Sequence, residues 1–163
     1  MFPRFHLFSR LTPRFSALGL GAVSAGALAM AYIAQYGFGL EPCELCLMQR
    51  VPYALGAVLA VMVFARPGWA RGALAAMGVF FLAGMGIAAF HVGVEQHWWA
   101  GLPTCSVKLD ASNIDVLRAQ ILNSARVPCD KIAWEMFGIS MAGYNVPTSA
   151  VLAAFAFWQA RRA

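Results

Sequence analysis

Charged residues are scarce in this sequence, and long stretches lack them altogether. Only 12% of the 163 residues are charged, whereas 61% are hydrophobic. Soluble domains typically have about 25% charged and about 45–50% apolar residues, so this composition argues against an ordinary soluble domain. The 12 basic residues outnumber the 7 acidic ones but form no cluster mixed with aromatic residues. Without such a cluster, nucleic acid is not expected as a partner.

The apolar residues fall into four blocks, which predict an all-α membrane protein built as a four-transmembrane-helix bundle. A helix needs about 20 apolar residues to cross a bilayer. The second block reaches that length only if its helix starts back near Cys43. Small residues four apart, such as Gly84 and Ala88, allow close helix contact in lipid. We expect a single membrane domain over 1–163, with spans at about 15–36, 47–65, 72–94 and 143–159.

Acidic residues are missing from the segment before the first span, from the turn between the second and third, and from the C-terminal end. Seven basic residues lie in these regions: Arg4, Arg10, Arg14, Arg66, Arg71, Arg161 and Arg162. All 7 acids fall in the other two loops, about 37–46 and 95–142. Because basic residues concentrate on the cytoplasmic side, both termini are predicted to be cytoplasmic in a bacterial inner membrane. A cleaved signal peptide is the alternative for the first block, whose apolar core is longer than such signals usually have.

All four cysteines lie in the two predicted periplasmic loops, Cys43 and Cys46 in the first and Cys105 and Cys129 in the second. The periplasm is oxidising, so disulfides are expected there. Four cysteines allow three pairings. Pairing within each loop is favoured, because a Cys-x-x-Cys bridge closes too short a loop to be a useful staple. Such a bridge is more often redox-active than structural.

The residues around the Cys-x-x-Cys predict an activated dithiol. Pro42 suits the first turn of a helix, which would put Cys43 and Cys46 near the positive end of the helix dipole. Arg50 lies four residues beyond Cys46 and therefore shares its helix face. A helix N-terminus and a nearby arginine both lower the pKa of a thiol. Arg50 also fits an interfacial anchor, but its position on the outer side beside a dithiol favours a functional role.

Between Cys105 and Cys129 the sequence predicts a short amphipathic helix. Ile114, Leu117 and Ile121 recur at helical spacing, and a helix with this pattern could lie flat on the membrane surface. A plain structural disulfide closing the loop is the alternative. Two cysteine pairs on one side of the membrane favour a redox relay between them.

A metal site is not expected from the sequence. Cys-x-x-Cys is a common half of a zinc site, but the other two cysteines, Cys105 and Cys129, are far apart in the chain and supply no second half. An oxidising compartment also disfavours free thiolate ligands. The sequence therefore predicts no metal ligands.

With these features in order, the chain resembles the disulfide bond formation protein B (DsbB) family. The likeness covers most of the chain: four spans, a Cys-x-x-Cys with an arginine four residues on, and a second cysteine pair in a long outer loop. The segments 90–95, 127–130 and 134–143 resemble proteobacterial members in particular. These features in this order along the chain are far more specific to the family than the Cys-x-x-Cys motif alone.

The resemblance implies an enzyme, a protein dithiol:quinone oxidoreductase. A reduced DsbA-like thioredoxin-fold protein of the periplasm would attack Cys105, and the freed Cys129 would attack Cys43. Cys46 would then be left as a thiolate that passes electrons to a quinone, either ubiquinone or menaquinone, from the membrane pool. All four cysteines would be catalytic. The protein would also contact the lipid of the surrounding membrane.

The resemblance also implies a quinone site. Arg50 matches the arginine of the family's site, and His91 is the expected counterpart of a histidine near the quinone, with His97 as a competitor. Met141 matches a position beside the quinone. The family often has a glutamate just before the arginine, whereas Gln49 stands here, which puts an acidic proton-transfer role at that position in doubt.

Two alternatives remain open on the sequence. A four-helix membrane scaffold or small transporter with structural disulfides would carry the same cysteines, although no charge inside the spans marks an ion path. A reductase of the vitamin K epoxide reductase type shares the helix number and the Cys-x-x-Cys. Motif order disfavours it, because there the Cys-x-x-Cys comes late in the chain.

Overall fold

A computed structural model of the chain describes residues 12–105 and 127–162. Four long helices dominate it: α1 Pro13–Gly37, α2 Glu44–Ala65, α3 Ala70–Glu95 and α4 Met141–Arg162. An antiparallel hairpin of two short strands precedes α4: β1 Glu135–Met136 and β2 Ile139–Ser140. Single 3-10 turns lie at Pro67–Trp69 and Pro103–Cys105.

The helix boundaries follow local chemistry. α1 begins with Pro13, whose missing N–H costs nothing at a helix start. α2 begins after Cys43, whose backbone is extended and whose sulfur caps the helix. α2 ends before Pro67, because the residue before a proline, here Arg66, is pushed out of the helical region. α3 is followed by His97, whose positive φ of 58° turns the chain back.

The helices pack into one bundle, with α1 against α2, α2 against α3 and α3 against α4. Small residues permit the close approaches. A Cβ on Gly21 would lie 2.0 Å from the Cβ of Ala60, so α1 and α2 touch at backbone distance there. The centre of the bundle is apolar and closed, since Leu74, Met77 and Phe81 have no exposed surface.

The outward surface of the helices is apolar as well. Met30, Val61 and Val151 are each more than 60% exposed, which suits contact with lipid. Within residues 12–105 and 127–162, three segments are long and apolar enough to cross a membrane: Pro13–Gly37, Glu44–Ala65 and Pro67–Glu95. The prediction of a helical protein with several membrane-type helices is confirmed on length and composition, and the bounds predicted for the first three spans fall inside α1, α2 and α3.

The fourth predicted span corresponds to α4, which is not among these three segments. Its polar side chains lower its hydropathy, but Ser149 and Gln159 point into the bundle and are buried. A fourth span therefore stays a prediction. The amphipathic helix predicted between Cys105 and Cys129 falls within 106–126, outside the described residues.

The two ends of the bundle differ chemically. One end, called the arginine end here, carries Arg66, Arg71, Arg161 and Arg162. The opposite end, called the cysteine end, is formed by the start of α2, the end of α3, the start of α4 and the segments between them.

After α3 the chain folds back against that helix, and this segment completes the cysteine end. The ring of Trp99 stacks on Phe90, and its Nε1–H donates to the Phe90 carbonyl at 3.0 Å. The ring lies so close to Gly93 that a Cβ there would be 1.9 Å from it. This fold-back carries Cys105 to the start of α2.

Candidate active site

Cys43 and Cys46 lie side by side at the start of α2. The Cys43 Sγ accepts the backbone N–H of Cys46 at 3.3 Å, so the cysteine itself is the helix cap. Both are free thiols, and their sulfurs are 2.8 Å apart. A disulfide has an S–S distance of about 2.05 Å, so a shift of less than about 1 Å would bring the pair to bonding distance. The first turn of the helix holds the two sulfurs ready to be oxidised.

Cys105 and Cys129 form a disulfide, with their Cα atoms 5.1 Å apart. The sequence favoured pairing within each loop, and the second loop has that pairing in the structure. Cys129 has no exposed surface, and Cys105 is 6% exposed. The bridge is buried against the bundle and not displayed on a free loop.

The two cysteine pairs meet in one buried cluster at the cysteine end. Its buried members are Cys43, Leu45, Val94, Cys105 and Cys129, and Cys46 packs against them. Thiol–disulfide exchange requires one sulfur to attack another directly. The sequence predicted only that both pairs face the same side of the membrane, whereas the fold packs them together.

His91 lies between the two pairs. Its Nε2 is 3.6 Å from the Cys43 sulfur and 3.2 Å from the carbonyl oxygen of Cys129. The side chain is buried, with 3% of the residue exposed. His97, the competitor considered from the sequence, lies beyond the end of α3 and is exposed. The fold therefore brings His91 to the cysteines and leaves His97 outside.

The hydrogen bonds around His91 define its tautomer. The Gln49 Nε2 group lies 3.4 Å from the carbonyl oxygen of Leu45, to which it donates, and 2.9 Å from the His91 Nδ1. A carbonyl only accepts, so this Gln49 atom is the amide nitrogen and the His91 Nδ1 is the acceptor. The ring proton is then on Nε2, which faces the Cys43 sulfur and the Cys129 carbonyl.

The network continues from Gln49 into the bundle. Asn145 Nδ2 donates to the Gln49 Oε1 at 2.7 Å. The Asn145 Oδ1 accepts from the Tyr53 hydroxyl and, at 3.0 Å, from the Ser149 hydroxyl. Buried polar groups destabilise a fold unless they are hydrogen-bonded, and this chain of contacts satisfies them. It also fixes the orientation of His91 from the α2 and α4 sides.

Glu95 is an acidic neighbour that the sequence reasoning missed. It lies one helical turn after His91, with its Oε1 3.7 Å from the His91 Nε2, and it is 8% exposed. The Ser140 hydroxyl donates to its Oε2. The spacing of four between His91 and Glu95 was a usable signal, because residues i and i+4 share a helix face.

Arg50 lies on α2 one turn beyond Cys46 and contacts α1. Its Nη1 donates to the Gln35 Oε1 at 2.7 Å, and its Cζ lies 4.9 Å from the centre of the Tyr32 ring. A cation above an aromatic face is stabilised by the ring quadrupole. The guanidinium is thereby held at the rim of the cavity described next.

A cavity of about 710 Å³ opens beside the cysteines. Its polar lining includes Cys46, Gln49, Arg50 and His91, and Met141 and Trp134 line the side of the hairpin and α4. One wall is formed by apolar residues of α1: Ala27, Leu28, Met30, Ala31, Ile33 and Ala34. Three sequence-predicted residues, Arg50, His91 and Met141, thus line one cavity with Cys43 and Cys46.

The environment of Cys43 favours its thiolate. A hydrogen bond from the Cys46 thiol lowers the pKa of the Cys43 thiol from 9.0 to about 4, against the opposing effect of burial, and His91 and the Cys46 backbone N–H lower it further. The resemblance assigned the thiolate to Cys46 at a later stage, when Cys43 is bonded to Cys129. When Cys43 and Cys46 are both reduced, the hydrogen-bond donors converge on the Cys43 sulfur instead.

Comparison with known proteins gives one consistent family. A family model described as "Disulfide bond formation protein DsbB" matches residues 13–159. A disulfide bond formation protein B of Aromatoleum aromaticum is 29% identical over 152 residues, covering 89% of this chain and 90% of the relative. Its counterpart in Xanthomonas campestris pv. campestris is 32% identical over 143 residues, covering 82% of each chain. No solved structure matches the chain.

Proposed function

This chain belongs to the family of disulfide bond formation protein DsbB and is a disulfide-generating oxidoreductase; from that premise we propose that it reoxidises a periplasmic DsbA-like thiol oxidase and passes the electrons to a membrane quinone. Family membership decides against the scaffold or transporter and against the vitamin K epoxide reductase type. Family membership does not by itself identify the electron acceptor or the partner protein, so both are proposed here.

One observation carries the proposal: both cysteine pairs, a buried histidine and an apolar cavity converge at the cysteine end. The clustering of Cys43, Cys105 and Cys129 supports direct exchange between the pairs. The cavity beside Cys46 supports an apolar acceptor of electrons. A purely structural pair of disulfides would need neither the cavity nor a free dithiol.

The proposed exchange proceeds by thiolate attack on disulfides. A thiolate of the partner attacks Cys105, the Cys105–Cys129 bond breaks, and Cys129 leaves as a thiolate. Cys129 attacks Cys43 of an oxidised Cys43–Cys46 pair, and Cys46 leaves as a thiolate. The partner's second thiol then displaces Cys105, which leaves the partner with a disulfide; Cys105 attacks Cys129, which restores that bridge and frees Cys43. Each step forms one S–S bond and breaks one, so two electrons move from the partner to Cys43 and Cys46.

His91 has a defined task in this scheme. Its Nε2–H points at the Cys43 sulfur and at the Cys129 carbonyl, so it can stabilise negative charge on Cys43 when the dithiol is present. Gln49 fixes the tautomer that makes this donation possible. Glu95 places a carboxyl oxygen 3.7 Å from the same Nε2.

The residues of the cavity fit a quinone. A quinone has a flat apolar ring and an apolar tail, with two carbonyl oxygens that accept hydrogen bonds. The cavity offers apolar α1 walls, the Arg50 guanidinium as a donor, and the His91 side chain in its lining. Met30 and Ile33, which line it, are 68% and 51% exposed, so the wall opens towards lipid. Arg50, His91 and Met141 would hold the group. When bound, a quinone would accept two electrons from the reduced Cys43–Cys46 pair, together with two protons from the pair and its surroundings.

We propose the inner-membrane arrangement on the distribution of charge. The arginine end would face the cytoplasm together with both termini, and the cysteine end would face the periplasm. α4 would be the fourth span, because its 22 residues are long enough at about 1.5 Å per residue to cross the core. The packing of all four helices into one bundle supports our proposal of a single membrane domain over 1–163.

The decisive experiment is stopped-flow reoxidation of a reduced DsbA-like protein by the purified enzyme loaded with ubiquinone or with menaquinone. Quinone absorbance and partner thiols are followed together. Coupled loss of both, abolished in Cys46→Ser and retained in the exposed-site control His97→Ala, is the expected result. Loss of partner thiols without reduction of either quinone would overturn the assignment of the acceptor.

A further inference from the structure

Three soft donor atoms lie together at the cysteine end. The Sγ atoms of Cys43 and Cys46 and the Nε2 of His91 all lie within 4.8 Å of one another. The sequence argument against a metal rested on the absence of a second cysteine pair at the right spacing. The fold supplies a histidine in its place, from a helix 45 residues away, so a ligand set of two sulfurs and one nitrogen is present.

We propose that the reduced enzyme binds a thiophilic divalent cation of the zinc class through Cys43, Cys46 and His91, and that the bound ion holds the enzyme in its reduced form. This site goes beyond the proposed function, because neither thiol exchange nor reduction of a quinone calls for a metal ion.

The distances suit tetrahedral coordination. With bonds of about 2.3 Å to sulfur and about 2.0–2.1 Å to nitrogen, ligand atoms on a tetrahedral zinc are about 3.6 Å apart for S and N and about 3.8 Å for two sulfurs. The Cys43 Sγ and His91 Nε2 are already 3.6 Å apart. The sulfurs, now 2.8 Å apart, must separate by about 1 Å. Cys46 lines the cavity and is only partly buried, so it has room to turn.

The charge of the complex suits a buried site. Two thiolates and one divalent cation sum to zero, whereas either thiolate alone or the bare ion is costly to bury. Because Cys43 is already a thiolate in the reduced pair, binding displaces one thiol proton, that of Cys46, and transfers no electron. Three protein ligands leave the fourth tetrahedral position open towards the cavity, from which the ion enters.

The hydrogen-bond network can adapt to a liganded His91. A metal on Nε2 requires the proton to be on Nδ1, and ligating histidines normally donate that proton to a second group. Turning the Gln49 amide would present its oxygen to Nδ1 and its NH₂ group to Asn145. Asn145 would turn likewise, and its far partners, Tyr53 and Ser149, are hydroxyls that either donate or accept. All of these contacts can therefore reverse, except the Gln49 donation to the Leu45 carbonyl, which would be lost.

The bound metal ion would therefore trap the enzyme, and it would do so only in the reduced state. An oxidised Cys43–Cys46 pair offers no thiolate, so the ion binds only after electrons have arrived. Once bound, it occupies both sulfurs and prevents them from forming a disulfide again. A periplasm rich in zinc or cadmium would therefore stall disulfide formation at this enzyme.

The test uses the full-length enzyme in detergent, reduced, freed of reductant and titrated with Co²⁺ alone under argon. We expect one ion per chain, a sulfur-to-cobalt band in the near ultraviolet, and visible bands of tetrahedral cobalt that disappear when Zn²⁺ is added. The oxidised enzyme should give no such bands. A variant with Cys105→Ser and Cys129→Ser should bind as the parent does, which isolates the site from the second pair.

Histidine variants identify the third ligand. His91→Ala should weaken Co²⁺ binding by about tenfold or more, since even the outer partners of a metal ligand are worth about 10–100-fold, and should alter the visible bands; His97→Ala should leave both unchanged. His91→Gln and a helical circular dichroism spectrum serve as checks on folding. No cobalt bands in the reduced parent, or equal binding by folded His91→Ala, would overturn the site. Failure here would leave the stopped-flow assay of the oxidase unaffected.

Discussion

At the scale of single residues, the Cys43 sulfur is the point on which the site's hydrogen bonds converge. It receives the Cys46 backbone N–H at 3.3 Å, the Cys46 thiol at 2.8 Å and the His91 Nε2 at 3.6 Å. Each of these contacts stabilises a thiolate more than a thiol. These contacts suit Cys43 to carry negative charge in the reduced state, and in the proposed exchange it would be attacked by Cys129 in the oxidised state.

The thiolate of Cys43 gives a prediction about pH. Its pKa is lowered from 9.0 to about 4, chiefly by the Cys46 thiol. The stability that this ionisation contributes is fully present above pH 9 and is lost as the pH falls through about 4. In reduced enzyme lacking the second pair, the ultraviolet thiolate absorbance should persist well below pH 9 and be absent from Cys43→Ser. An apparent pKa near 9 would contradict the assignment.

Gln49 gives a second prediction at this scale, as a positioning residue for His91. Because its amide nitrogen donates to Nδ1 at 2.9 Å, replacing it with leucine should release the preference for the Nε2–H tautomer. We expect Gln49→Leu to slow partner oxidation by about tenfold, in line with other groups that orient a reacting side chain.

The ¹⁵N chemical shifts of the His91 ring report its tautomer directly. A general loss of packing would not invert them, so they distinguish a positioning role from a structural one. Gln49→Glu should invert the tautomer, since a carboxylate can only accept from Nδ1–H. The shifts of exposed His97 serve as the internal reference. Unchanged His91 shifts in both variants would sink the positioning role.

At the scale of elements, the fold-back after α3 connects helix packing to the redox site. Trp99 lies on Gly93 and donates to the Phe90 carbonyl. The segment that follows leads through the 3-10 turn Pro103–Cys105 to the buried disulfide. A small residue on α3 is therefore a condition for seating Cys105 beside α2.

Two glycines of α3 test this connection as a matched pair. A Cβ on Gly93 would lie 1.9 Å from the Trp99 ring, whereas a Cβ on Gly86 meets nothing within 4 Å. Gly93→Ala should lower stability in detergent by about 1–3 kcal/mol, as overpacking typically does, while Gly86→Ala should not.

The same pair should differ in the chemistry of the second disulfide. With Trp99 displaced, the Cys105–Cys129 bridge should be reduced faster by a small thiol in Gly93→Ala than in the parent. Reduction at parental rates in both variants would mean that the fold-back does not control access to the bridge.

At the scale of the whole molecule, the two ends of the bundle give it a direction. Arg66, Arg71, Arg161 and Arg162 mark one end, and the cysteines, the hairpin and the cavity mark the other. Many small residues of the described helices are buried inside, and large apolar side chains such as Met30 and Val61 are exposed outside, which suits contact with lipid.

This polarity predicts the topology. A fluorescent protein fused after α4 should fold and fluoresce, because the C-terminus is expected in the cytoplasm. With the natural cysteines replaced, Phe137→Cys in the hairpin should react with a membrane-impermeant maleimide from outside the inner membrane, and Gly68→Cys should react only after permeabilisation. A dark fusion would mean that α4 does not cross the membrane.

Much of this protein is decided by features that are local in the sequence. Uncharged blocks of about 20 residues become membrane-type helices wherever they occur, because the length of an apolar run is a local property. The adjacency of Cys43 and Cys46 follows in the same way from a spacing of three, although α2 begins at Glu44 and not at Pro42, because Cys43 itself caps the helix. The ordered motifs were also sufficient to identify the family. α4 was harder to read, because its polar residues lower its hydropathy although the fold buries them.

Only the tertiary structure decided which distant groups meet. The choice of His91 over His97, the contact of Gln49 with Asn145, and the packing of Cys129 beside Cys43 depend on the rotation and register of one helix against another. Those are set by side-chain packing, such as Gly21 against Ala60, which no single segment encodes. The third donor for a metal ion arises in the same way. Sequence spacing could not reveal it, because His91 approaches the two thiols from a different helix.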